Sequence, residues 1–372
     1  MANWRHDSER REVRAIAAQK TEPIGAVDEA GRSVDWWFVY KVPYKAENPA
    51  GGAKATGYEY LYYDSGDQNA LSLSPNLLTG KEGAVHRTLA GLFGESRSSV
   101  PAGRGWVLYN DELPEDDLPE GKSNRGSAGH TKGVLGFDLE SDSGLWLLHS
   151  TPRWPHDDAM VFPQNEREYG QTFLCITLPG VSAVEQLAGQ MRRYQDPQTY
   201  GCRTPKGLAA DSELSLLASG EAVTDPPTEQ TNDLGFTSSA GASFRALAKS
   251  RAWGEDFWID LVGPALGTSL NVETWRRGTL PPVEEQGAGA PSSGHVDDIQ
   301  NVDLTELGAP YAWKYTKDHA KWAIGEGSDW VCVGDLNRQT SQEKRGGATI
   351  AFRHAKLNGW LRSIERLAPN AT

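Results

Sequence analysis

Residues 318–352 read DHAKWAIGEGSDWVCVGDLNRQTSQEKRGGATIAF. His319-Ala320-Lys321 leads into the apolar run Trp322-Ala323-Ile324. The Gly-rich turn Gly325-Glu326-Gly327-Ser328 follows, and then a second run, Trp330-Val331-Cys332-Val333, which ends in Gly334-Asp335-Leu336-Asn337. Two short runs rich in aromatic and β-branched residues, split by such a turn, predict a β-hairpin. Residues two apart on a strand share a face, so His319 and Lys321 are expected side by side. An imidazole beside an ammonium can hold a phosphate oxygen and react at phosphorus.

The chain carries this device twice. Gly129-His130-Thr131-Lys132-Gly133-Val134-Leu135 is again H-x-K running into an apolar stretch. A turn at Ser141–Gly144 and the run Leu145-Trp146-Leu147-Leu148-His149-Ser150 complete it. His130 and His319 are 189 positions apart, about half of the 372 residues. Such spacing points to duplicated halves whose sites meet across a pseudo-twofold axis. A third H-x-K, His354-Ala355-Lys356, opens a helical pattern, where positions i and i+2 diverge by roughly 200°. It is read as structural.

These residues bring a family into view: the chain resembles deoxyribonuclease II. The matching segments include Val34–Lys41, Leu108-Tyr109-Asn110-Asp111, Gly129–Gly133, Leu145–Pro152, Tyr169–Cys175, Ala265–Thr268, Asp318–Trp322, Cys332–Arg338 and Arg345–Thr349. The resemblance runs from about residue 33 to 352. It implies a mixed α/β (α+β), phospholipase D-like fold of two pseudo-symmetric halves, each a mixed sheet flanked by helices. It also implies an acid endonuclease that uses no metal and no other cofactor, acts on double-stranded DNA and leaves 3′-phosphate and 5′-hydroxyl ends. Extracellular animal relatives look disulfide-bonded at positions that here are Ala26 and Ala351, so no such bridge is expected.

Composition is that of a globular chain. The length suggests two units of roughly 150 residues, and the boundary falls near residue 197, giving halves 1–197 and 198–372. Net charge is −13, which favours solubility and argues against broad nucleic-acid binding, so any phosphate-binding groove must be local. No apolar run reaches the roughly 18–20 residues of a membrane span. The charged start MANWRHDSERREVRA shows no secretory signal. The three cysteines, 175, 202 and 332, form no disulfide framework. Cys175 and Cys332, both in apolar runs, are expected as buried thiols. His156-Asp157-Asp158 and His295-Val296-Asp297-Asp298 are metal-ligand types without repeat spacing, read as solvated loops.

Along the chain, strands are expected at Val34–Lys41, Tyr58–Tyr63, Gly105–Tyr109, Gln171–Leu178 and Ser269–Trp275. Helices are expected at Ala84–Phe93, at Ser182–Tyr194 behind a Ser182/Glu185 capping box, at Ser243–Arg251 and at the C-terminus around Leu357, Leu361 and Ile364. Pro281–Val302 reads as an exposed loop. Glu112–Gly129, which leads into His130, reads as a loop bordering the site and offers Arg125 to phosphate.

The expected chemistry is phosphodiester hydrolysis. His130 attacks phosphorus, His319 protonates the departing hydroxyl, and Lys132 and Lys321 clamp the non-bridging oxygens. His149, Ser150, Thr131 and Asn337 are supporting candidates, and Asp335 is placed to orient a histidine or lysine. A homodimer that widens the clamp on duplex DNA is expected. Two alternatives use the same residues: a phosphodiesterase on a lipid or other non-DNA substrate, and a module that captures phosphate without cleaving it.

Overall fold

The computed structural model describes residues 22–66, 70–94, 97–114, 124, 126–156, 162–221, 223–280 and 295–367. Two large sheets form the framework. The first has eight strands in the order 199–203, 104–109, 133–138, 143–149, 171–178, 36–41, 60–64 and 72–73. The second follows the path 231–237, 243–249, 347–353, 330–334, 322–325, 270–273, 296–303 and 312–314, with 365–367 also paired to 296–303. Adjacent strands are antiparallel except 270–273 with 296–303.

The two sheets repeat a common order. In each, the strand that follows H-x-K lies between a preceding strand (104–109 or 270–273) and its hairpin partner (143–149 or 330–334). Two more strands continue each series, 171–178 and 36–41 in one sheet, 347–353 and 243–249 in the other. Gly133, just after Lys132, faces Tyr109 and Leu148, and Trp322, just after Lys321, faces Glu273 and Val333. We keep the division near residue 197 as a proposal. The strand just beyond it, Thr199–Arg203, is an edge strand of the first sheet.

Both faces of each sheet are covered. One core draws on both sheets: Phe38, Tyr40, Leu135, Trp146 and Leu174 meet Phe244, Trp322, Val331, Val333 and Ile350, and the helices Val181–Gln190 and Ala355–Ile364 add Leu187 and Leu361. The outer face of the first sheet packs Trp37, Val39 and Leu147 under the helix Ala84–Phe93. That of the second packs Val272, Ala323 and Cys332 under the helical segment Phe257–Leu266. Burial on both faces explains the near-continuous apolar strands.

The structure corrects several expectations. Ser243–Arg251 is not a helix; Ser243–Lys249 is a strand between two others. Part of the expected loop 281–302 is the strand Val296–Asp303. His295 is exposed beside Asp297, but Asp298 pairs with Arg338 and Arg276, so this run is not a solvated loop. The helix at 181 has Gly180 as its N-cap, and Asp142 accepts the Val181 N–H; Glu185 instead accepts from Leu214. Each H-x-K precedes its strand, which starts one residue after the lysine. Cys175, Cys202 and Cys332 are free thiols, 175 and 332 buried. No described helix is long and apolar enough to cross a membrane.

Candidate active site

Both H-x-K segments lie where the two sheets meet, and each is tied to the opposite half. The His130 N–H donates to the Gly346 carbonyl at 2.8 Å, and the His319 N–H donates to the Gly170 carbonyl at 2.9 Å. The two glycines hold matching positions, each one residue before its strand pairs Gln171 with Lys41 or Gly347 with Lys249. Close approach requires glycine here. A Cβ on Gly346 would sit 2.4 Å from the Gln195 carbonyl oxygen, and one on Gly170 2.4 Å from Asp318 Oδ1. Behind the motifs the main chain repeats as well: His149 N–H donates to Lys132 O, and Gly334 N–H donates to Lys321 O.

The surroundings of the two pairs differ. The His130 ring has Nδ1 2.5 Å from the Asp335 carbonyl oxygen and Nε2 3.9 Å from Asp111 Oδ2. Asp111 also ion-pairs with Lys132 and, at 3.0 Å, with Arg345. Arg345 in turn donates to the carbonyls of Ala128 and Gly129. Burial pushes the Asp111 carboxyl up, but Lys132, His130 and Arg345 together hold it well below the usual carboxylate range. Burial, then Lys132, presses the His130 imidazole well below its ordinary value, against the pull of Asp111.

His319 has an aromatic seat instead. Its ring stacks on Tyr169 at 3.8 Å and 7°, and Trp275 meets it edge-on at 4.8 Å. Trp275 and Asp111 hold matching positions just past their strands, two residues beyond Glu273 and Tyr109. Burial and the positive charges of Lys321, Lys132, Lys41 and Arg277 lower the His319 pKa to about 2. Lys321 donates to the His319 carbonyl at 2.6 Å; burial and Lys132 bring its own pKa down to about 7. The two motifs therefore lie within electrostatic reach of each other. Asp318, buried before His319, accepts from the Tyr40 hydroxyl, Trp313 Nε1 at 2.7 Å and the Ala320 N–H at 2.9 Å.

The remaining candidates fall around this centre. Asp335 meets His130 through its carbonyl. Its carboxyl is pushed up to about 7 by burial, opposed first by Lys132. The Thr131 hydroxyl donates to Gln195 at 3.2 Å. His149 accepts the Thr151 N–H on Nδ1 at 3.2 Å, so its Nε2 carries the proton, and its ring packs on Trp154. Ser150 donates to Gln171 and accepts from Thr172 N–H, holding neighbouring strands together. Asn337 is buried in a small cleft with Lys249, Asp256 and Gln342, and its Oδ1 has no hydrogen-bond partner among the described residues. Arg125 lies outside the described residues. His354 caps the last helix by accepting the Leu357 N–H and packs against Trp36. Among the described residues no group of three or more metal-ligating side chains is found.

Reasoning from sequence missed Asp111, Arg345, Tyr169 and Trp275. The first three lie inside the segments that carry the family resemblance, and that was the available signal.

A family profile described as Deoxyribonuclease II matches residues 26–366. A Burkholderia pseudomallei protein named "Putative deoxyribonuclease-2" is 44% identical over 348 residues, covering 93% of each chain. Deoxyribonuclease-2-alpha of Rattus norvegicus is 34% identical over 356 residues, covering 92% of this chain and 93% of its own. Among solved structures, a yeast tyrosyl-DNA phosphodiesterase 1 mutant matches 67% of this chain and 71% of its own at 10% identity, with a TM-score of 0.31. The chain belongs to the deoxyribonuclease II family, and its fold is mixed α/β. It is a hydrolase of that family, a nuclease that cleaves DNA.

Proposed function

We propose that this nuclease is a metal-independent acid endonuclease that cuts double-stranded DNA through a phosphohistidine. His130 Nε2 attacks phosphorus. The P–O5′ bond breaks, and His319 gives its proton to the departing 5′-oxygen. Water then attacks the phosphohistidine and loses its proton to His319. The P–N bond breaks, which leaves a 3′-phosphate and restores both rings. Lys132 and Lys321 stabilise charge on the non-bridging oxygens.

The observation that carries this reading is the reciprocal tie of His130 to Gly346 and His319 to Gly170, which sets both imidazole–ammonium pairs at one junction. The His130 tautomer supports its role, because a carbonyl on Nδ1 leaves the lone pair on Nε2. The two strongest cations that lower the His319 pKa, Lys321 and Lys132, are those a phosphodiester would neutralise, and a bound phosphate therefore favours its protonated form. Lys321, with a pKa near 7, carries its charge on the acid side, which supports an acid preference. A homodimer that extends the groove along duplex DNA belongs to the same proposal.

The test is nicking of supercoiled plasmid in EDTA across pH 4–7, with analysis of the ends. Nicks at pH 5 bearing 3′-phosphates are expected, along with a His130→Ala variant that binds DNA without cutting it. No nicking across that range in repeated preparations would sink the reading.

A further inference from the structure

Two buried lysines that the mechanism does not use occupy equivalent places. Lys41 pairs with Gln171 and Lys249 with Gly347, each one residue past the glycine that receives the opposite histidine. Both are fully buried, and neither is ion-paired among the described residues. A buried ammonium without an anion is costly unless its donors are satisfied. Here carbonyl oxygens satisfy them. Lys41 Nζ donates to Tyr169 O at 2.6 Å, Arg167 O at 3.0 Å and Val42 O at 3.2 Å. Lys249 Nζ donates to Arg345 O at 2.7 Å, Glu343 O at 2.7 Å and Gln342 O at 3.1 Å.

Each ammonium thus gathers the loop that ends at Gly170 or Gly346. The first loop supplies the Tyr169 ring under His319 and the Gly170 carbonyl on its N–H. The second supplies Arg345 to Asp111 and the Gly346 carbonyl to the N–H of His130. An ammonium has three donors and can draw three carbonyls to one point, which no neutral side chain of that length does.

We propose that Lys41 and Lys249 are positioning residues, each fixing the loop through which one half of the chain holds the histidine of the other. The inference rests on the nuclease reading only for its effect on rate; the placement of the rings is a separate observable. Lys41 therefore acts on His319, and Lys249 acts on His130.

The test uses the full chain labelled with ¹⁵N-histidine, with His130 and His319 assigned through His→Gln variants. Lys41→Met should move the imidazole signals of His319 and leave those of His130 in place; Lys249→Met should do the reverse. Each should lower kcat for plasmid nicking by about 10-fold or more, as misplacement of reacting groups does, with a smaller change in KM. If a Met variant does not fold, Lys41→Gln and Lys249→Gln, which keep an N–H donor, take its place. Folded variants with both rings undisturbed, or with both disturbed alike by either change, overturn the proposal. A wild-type chain that fails to nick DNA defeats the nuclease mechanism while the ring signals still decide the positioning role.

Discussion

His130 Nδ1 lies 2.5 Å from the carbonyl oxygen of Asp335, 205 positions further along the chain. A carbonyl only accepts, so Nδ1 is the protonated nitrogen and Nε2 keeps its lone pair. The second half thus sets the tautomer of the first half's histidine.

Replacing either imidazole removes a group that no neighbour can supply. His130→Ala and His319→Ala are each expected to lose about 10²–10⁴-fold or more in nicking rate, with DNA binding retained. Gel-based nicking at pH 5 and a filter-binding assay on the same preparations check this. Rates within a few-fold of wild type would remove that histidine from the chemistry.

Asp111→Asn takes away the anion 3.9 Å from His130 Nε2. A nearby carboxylate favours the imidazolium, so its loss makes His130 harder to protonate. The limb of the pH–rate profile on which the nucleophile becomes protonated should move to lower pH. Stability should fall too. The depressed carboxyl contributes above its unfolded pKa, and that contribution is lost as pH drops through the folded value. Near neutrality the loss is about 3–5 kcal/mol, typical of breaking a buried ion pair from one side. Melting curves and pH–rate profiles measure both.

Tyr169→Ala removes the ring stacked on His319, whereas Tyr169→Phe keeps it. The alanine variant should fall by about 10² in kcat, the scale associated with a small misplacement, and phenylalanine should restore most of it. Equal activity in Tyr169→Ala and wild type would show that His319 needs no such support.

Asp335→Asn probes a carboxyl pushed up to about 7. A raised carboxyl contributes most below its unfolded pKa, and the contribution is lost as pH climbs through the folded value. Near pH 4 and below, where the carboxyl is protonated in both states, the asparagine changes little. Between about pH 4 and 7 the variant should gain on wild type, by up to about 1.4 kcal/mol per pH unit, and the difference should level off above the folded value of about 7. Melting temperatures from pH 4 to 9 give the trend; a constant difference would mean that the carboxyl ionises normally.

Gly346→Ala places a Cβ 2.4 Å from the Gln195 carbonyl oxygen. The backbone must shift, at about 1–3 kcal/mol for an overpacked site, and the hydrogen bond to His130 shifts with it. The expected result is a lower melting temperature together with a loss of nicking larger than instability explains at 25 °C. Full activity would show that the close approach is not needed.

The two hairpins and the last helix were legible because their patterns are local: a Gly-rich turn between Trp-led runs, and Leu357, Leu361 and Ile364 at helical spacing. Ser243–Lys249 was misread as a helix because an interior strand buried on both faces loses the alternation that marks a half-exposed one. At the site, the H-x-K pairs announced themselves. Asp111 and Arg345 did not, because their pairing joins residues 234 apart and depends on how the halves meet. The aromatic seat of His319 was hidden for the same reason, with Tyr169 coming from one sheet region and Trp275 from another.

The reciprocal ties from His130 to Gly346 and from His319 to Gly170 leave neither histidine seated by its own stretch of chain. A polypeptide that stops short of residue 346 has its first imidazole but lacks the carbonyl that seats it. Under the proposed mechanism such a truncated chain is expected to be inert rather than weakly active.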